Sequence, residues 1–171
     1  EFILQAFEHS IARHGLEYPG REHMAAQVGL PLEAIYAGIH VDLVPGLIEA
    51  HRTFQQENQH LAVAFQGAAQ ALTQLRALGL SLAAVTSRSR RTSVRSLEIT
   101  GLVGLFDAVV SAEDAAALKP DPAPLRQAIA LLGADSAGAV MVGDTGADIR
   151  AGRALGIRTV AATYGFAGRT V

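Results

Sequence analysis

The chain has 171 residues, half of them apolar and 18% charged, with a formal net charge of −2. That length suits one core domain plus a small appendage, and the apolar share is enough to bury a core. The weak negative charge argues against a nucleic-acid partner, which needs a basic face, and the absence of cysteine excludes disulfides and thiolate metal sites. No apolar run approaches the roughly 20 residues that cross a bilayer, and no signal peptide is visible, so a soluble, cytoplasmic protein without a membrane partner is expected.

In chain order, residues 1–64 read as about four helices. "FILQAFEHSIARHG" sets Ile3, Phe7 and Ile11 on one face and stops at Gly15. "REHMAAQVG" is a shorter helix ending at Gly29. "PLEAIYAG" and "PGLIEAHRTFQQENQHL" open with Pro31 and Pro45 at plausible first helical positions. The histidines, His9, His14, His23, His40, His51 and His60, all fall in this region. They contain no His-x-x-x-His pair and read as surface or packing residues.

From Phe65 the rhythm alternates. "GAAQALTQLRALG" is a helix, "LSLAAV" a strand, "SRRTSVRSLEITG" a helix and "FDAVVS" a strand. "APLRQAIALLG" is a helix, "GAVMVG" a strand, "TGADIRAGRALG" a helix and "RTVAATYG" a strand. Strands separated by helices of this length predict an α/β fold: a Rossmann-like, doubly wound parallel sheet over residues 65–171. In such sheets ligands bind beyond the carboxyl ends of the strands.

Three strand ends carry candidate chemistry. After "LSLAAV", Thr86 and Ser87 offer hydroxyls and backbone N–H groups beside a helix start, which suits an anion or simple helix capping. Arg88 is the substrate contact to expect from the following basic run; Arg90, Arg91 and Arg95 read as a solvated helix face. Lys119 is the single lysine among thirteen arginines. It is a compact point charge held before Pro120, fit for a fixed anionic site or else an ordinary surface residue. Asp144 and Asp148 project to one side of a helix start, which suits Mg²⁺ or a capping role at the helix N-terminus. Together, hydroxyl, lysine and acidic pair are the equipment of phosphoryl transfer.

"VTSRS", "LKPDPAPL" and "MVGDTGAD", in this order, resemble motifs two to four of the haloacid dehalogenase superfamily, in the manner of its phosphoglycolate phosphatases. "GLFDAVVSAED" and "DIRAGRALGI" fit as well, and the resemblance covers essentially the whole chain. It implies that Thr86 and Lys119 are catalytic, that Thr86, Ser87, Arg88 and Lys119 contact substrate, and that Asp144 and Asp148 serve Mg²⁺. Residues 1–64 then correspond to a helical cap, with "QVGLPLEAIYAG" similar to its substrate-facing segment. The implied activity is a Mg²⁺-dependent phosphatase acting on a small phosphorylated metabolite through an aspartyl-phosphate, as a monomer or homodimer. The acidic pair disfavours a dehalogenase, and Gly143-Asp144 stands where related sugar phosphomutases carry Glu-Asp. A phosphomutase and a catalytically inactive binding protein are the alternatives. The family's first motif, Asp-x-Asp, is missing: no two of the seven aspartates lie two residues apart. The expectation is therefore that a strand carrying the nucleophile precedes Glu1 and belongs in the middle of the sheet, and that the chain also continues beyond Val171.

Overall fold

A computed structural model describes residues 2–165; residues 166–171, the end of the expected α/β region, lie outside it, as does Glu1. Helix α1 (Phe2–Arg13) buries Leu4, Phe7 and Ile11, the i, i+3, i+7 stripe of one helical face. That stripe packs along α4 (Val44–Glu57), whose Leu47 and Ile48 answer it, and Met24 of α2 (Arg21–Gln27) with Ile35 and Tyr36 of α3 (Leu32–Ala37) complete the cluster. Pro31 is not the first helical residue of α3. It is extended, and its carbonyl accepts from Ala34 and Ile35, so it starts the helix from outside. Pro45 does lie in the first turn of α4, where a missing N–H costs nothing. The helix ends sooner than its apolar pattern suggests, at Asn58, whose backbone leaves the helical region at φ −110 and ψ 25 and whose side-chain amide donates to Phe54 O.

Beyond residue 64 the expected alternation is present: α5 (Ala68–Ala77), β1 (Ala83–Val85), α6 (Arg90–Ile99), β2 (Ala108–Val110), α7 (Ala123–Leu131), β3 (Val140–Gly143), α8 (Gly146–Ala154) and β4 (Arg158–Ala161). Every ladder is parallel. β1 pairs with β2 from Ala83–Ala108 to Val85–Val110, and β3 with β4 from Val140–Arg158 to Gly143–Ala161. A single sheet is not what forms among the described residues, since no ladder joins β1 to β3. The two pairs meet instead through side chains: Val85 and Met141 share a small cluster with Leu125 of α7 and Ala151 of α8. On the opposite face, Val140 and Val142 remain 45% and 59% exposed, and α5 buries none of its residues. Within each pair the strands run the same way, and Thr86, Lys119 and Asp144, which follow β1, β2 and β3, line one cavity.

Candidate active site

Thr86 extends β1 by one residue, its N–H donating to Val110 O at 2.9 Å. Capping of α6 falls to Ser89, whose hydroxyl accepts from Thr92 N, while Thr86 Oγ1 accepts from Arg88 N at 3.1 Å. The capping alternative for Thr86 and Ser87 therefore goes to another residue, and both line a cavity at the strand ends. Arg90 fastens the same helix start to the loop after β2: it pairs with Asp114 at 2.7 Å, and its backbone N–H donates to Glu113. Arg90, followed by the Ser111 hydroxyl and N–H, holds the Asp114 carboxyl down to about 2. Arg91 and Arg95 are exposed, as a solvated face requires.

The loop after β3 divides its labour similarly. Thr145, not Asp144, is the N-cap of α8, and it forms a reciprocal capping box with Asp148. Asp148 Oδ2 accepts from Thr145 N at 3.0 Å and Thr145 Oγ1 at 2.7 Å, and Oδ1 accepts from Lys119 Nζ at 2.6 Å. Gly143 makes this possible, because a Cβ there would sit 2.7 Å from Asp148 Oδ2. Lys119 also donates to Val85 O at 2.9 Å, so one ammonium ties the tip of β1 to the start of α8. The Lys119 and Asp148 side chains are only 11% and 7% exposed. The surface-residue reading of Lys119 thus gives way to a buried pair.

These groups converge. A cavity of about 520 Å³ is lined on the α/β side by Thr86, Ser87, Arg88, Lys119, Asp144 and Asp148. The helical side contributes Phe7, Ile35, His51, Arg52 and Gln55. The two sides touch where Gly29 packs on Thr145: an added Cβ would lie 3.0 Å from Thr145 Cγ2. Among the described residues no group of three His, Asp or Glu side chains is gathered for a metal. Asp144, the candidate metal ligand after β3, lies on the cavity wall together with Glu33, Glu113 and Asp148, and both oxygens of Asp148 accept from Lys119 and Thr145. One carboxylate plus substrate oxygens suffices for Mg²⁺, which retains several waters.

His51 was not legible as a site residue. It is 1% exposed, and its Nδ1 lies 2.8 Å from Tyr36 OH, which in turn lies 2.6 Å from Ser10 Oγ. Burial, then the nearby Arg88 and Arg52, push its pKa down to about 3. The available signal was the α4 stripe, which runs Leu47, His51, Gln55 at four-residue spacing: an apolar face that turns polar as it passes over the cavity. The other histidines behave as expected, with His9 on Phe54, His14 hydrogen-bonded to Ser10 O, and His23, His40 and His60 exposed.

Residues 1–162 match the family described as haloacid dehalogenase-like hydrolase. A pyrophosphatase PpaX from Bacillus pumilus is 33% identical over 172 residues, covering 98% of this chain and 78% of that protein. A plasmid-encoded phosphoglycolate phosphatase from Cupriavidus necator is 38% identical over 137 residues, covering 80% of this chain and 59% of that protein. Among solved structures, a haloacid dehalogenase-like hydrolase from Streptococcus pneumoniae superimposes with a TM-score of 0.89 at 22% identity, over 98% of this chain and 80% of that one. The parallel strand pairs flanked by helices, the motif order and these matches agree: the chain belongs to the haloacid dehalogenase-like hydrolases, with their Rossmann-like α/β core.

Proposed function

We propose that the chain belongs to a Mg²⁺-dependent phosphatase of small phosphomonoesters that works through an aspartyl-phosphate. The nucleophile would come from an Asp-x-Asp strand preceding Glu1. One observation carries this reading: Lys119 Nζ bridges Val85 O and Asp148 Oδ1 in a cavity that Thr86 and Asp144 also line. In it, the Thr86 hydroxyl and neighbouring N–H groups orient the phosphoryl oxygens, and the Lys119 ammonium opposes their growing charge. Preorganised donors of this kind act most strongly where water is excluded. Asp144 would hold Mg²⁺, whose contribution is to withdraw charge from the phosphoryl oxygens. Asp148 positions Lys119 and the Thr145 loop rather than meeting the metal.

Residues 1–64 would form the cap over an α/β core from residue 65, a division supported by two separate apolar clusters and by the Gly29–Thr145 contact. The edges of β1 and β3 that no ladder joins among the described residues support a further strand between them. The names of the relatives, pyrophosphatase and phosphoglycolate phosphatase, support small phosphate compounds as substrates and a phosphorylated metabolite as partner. A cytoplasmic monomer or homodimer completes the proposal; among the described residues no helix is long and apolar enough to cross a membrane.

The test is phosphate release from a panel of small esters by protein carrying the Asp-x-Asp segment. Release should require Mg²⁺ and fall at least a hundredfold in Asp144→Asn, as expected when one preorganised transition-state contact is lost. Isomerised sugar phosphates without free phosphate would favour a mutase instead. Full activity of Asp144→Asn would remove that residue from the site.

A further inference from the structure

A buried hydrogen-bond network in the helical part ends at the cavity and has no role in the reading above. Ser10 Oγ lies 2.6 Å from Tyr36 OH, and Tyr36 OH lies 2.8 Å from His51 Nδ1. Ser10 and Tyr36 are fully buried inside the helical part, whereas His51 lines the cavity. Phe7 and Tyr36 meet the imidazole edge to face, with ring centres 4.7 and 5.9 Å away, and so hold the plane of the ring.

The direction of this network follows from its protons. Each hydroxyl has one to give. Among the described residues Ser10 Oγ has no acceptor other than Tyr36, so Ser10 donates to Tyr36, and Tyr36 donates to His51 Nδ1. The reverse direction would leave the Ser10 proton buried without an acceptor, which is costly. A neutral imidazole that accepts at Nδ1 carries its single proton on Nε2. The ring is neutral, because burial, then Arg88 and Arg52, push its pKa down to about 3. Among the described residues the buried side-chain polar atoms left without a partner are two nitrogens of Arg88, so His51 Nε2 keeps access to the cavity.

We propose that Tyr36 is a positioning residue that keeps the His51 proton on Nε2, and that His51 Nε2–H binds an oxygen of the substrate's leaving group from the helical side of the cavity. This rests on the phosphoryl reading above: with the phosphoryl group at Thr86 and Lys119, the rest of the ester faces the wall that α4 supplies. A neutral donor asks for an oxygen acceptor and not for a charge, so a hydrocarbon leaving group gives it nothing to bind.

The test has two arms. In nitrogen-15 NMR of the intact protein without ligand, the parent should show His51 unprotonated on Nδ1 and protonated on Nε2, and Tyr36→Phe should bring in a population protonated on Nδ1. A proton on Nδ1 in the parent overturns the inference whatever the site does chemically. The second arm measures KM and kcat for 2-hydroxyethyl phosphate and ethyl phosphate, which differ by one hydroxyl oxygen, using protein that carries the Asp-x-Asp segment. Where an ester is not turned over, its inhibition constant takes the place of KM. 2-Hydroxyethyl phosphate should have the lower KM by roughly fivefold, the size of one neutral hydrogen bond. His51→Phe should abolish that difference with kcat within about twofold of the parent, as loss of a contact made equally in ground and transition states requires. His51→Gln, whose amide can place an N–H near the position of Nε2, should restore part of it. Tyr36→Phe should shrink the difference, and Tyr36→Phe combined with His51→Phe should have the KM of His51→Phe alone, because Tyr36 acts through the ring. Equal KM values for the two esters in the parent, or a difference that survives His51→Phe, overturn the inference alone. Absence of phosphate release from every ester of the panel overturns the phosphoryl reading and the leaving-group contact with it.

Discussion

Lys119 shows how much one side chain can be asked to do. Its ammonium sits between a strand-end carbonyl and a buried carboxylate, a gap that suits a point charge and not a planar fork. Lys119→Met would leave Asp148 buried without its cation, and breaking such a pair from one side costs about 3 kcal/mol or more. Urea unfolding of the two proteins should show that loss; a difference below about 1 kcal/mol would mean that the Thr145 hydrogen bonds alone satisfy Asp148. His51 sets a pH dependence. Its folded pKa of about 3 lies below the ordinary 6.5, so below pH 6.5 the unfolded chain takes up a proton that the folded one refuses. Stability therefore falls as pH drops from 6.5 toward 3, by up to roughly 1.4 kcal/mol per unit. Between pH 6.5 and 5, His51→Gln should lose about 1.6 kcal/mol less than the parent. Parallel pH slopes for the two would show that the ring is charged or solvated in the fold.

At the scale of elements, glycines and caps decide where the functional groups point. Thr145→Ala removes the N-cap of α8 and one anchor of Asp148, and should cost about 1–2 kcal/mol, recovered largely by Thr145→Ser. Gly143→Ala attacks the same carboxylate from the strand side, since its methyl would lie 2.7 Å from Asp148 Oδ2. It should cost more than the lost cap, on the order of 3 kcal/mol, and a smaller effect measured by denaturation would mean that the β3–α8 turn yields easily. Gly29 has φ +102 and abuts Thr145, so Gly29→Ala combines backbone strain with a clash between the two parts of the molecule. Faster amide exchange at the Thr145 loop, with α1–α4 still protected, is the expected signature.

At the scale of the whole molecule, the open seam between the strand pairs is the main structural fact. Among the described residues β1 and β3 each have one unpaired edge, and exposed strand edges are normally covered or paired. Amides on those edges should exchange faster than those within the β1–β2 and β3–β4 ladders, and should become protected in a protein that carries the Asp-x-Asp strand. Equal rates in both proteins would place that strand elsewhere. Element order and type were legible in the sequence because apolar spacing is local: the spacing of Ile3, Phe7 and Ile11 and the Val/Ala/Met runs are read without knowing their partners, although the structure buries Leu4 with Phe7 and Ile11 and leaves Ile3 half-buried. The strands proved shorter than their apolar runs, since a ladder ends where its neighbour ends, which is a property of two segments.

The sequence by itself determined the elements and the motifs at three strand tips, because turn chemistry and periodicity act within a few residues. Only the tertiary structure decided which of those motif residues are free to act. It assigned capping to Ser89 and Thr145, turned Asp148 toward Lys119, and brought Arg88 and His51 onto the cavity wall. The two caps are contacts over three residues, but the Lys119–Asp148 pair and the approach of His51 to Arg88 depend on partners distant in the chain, and electrostatic pairing in a buried space has no local signature.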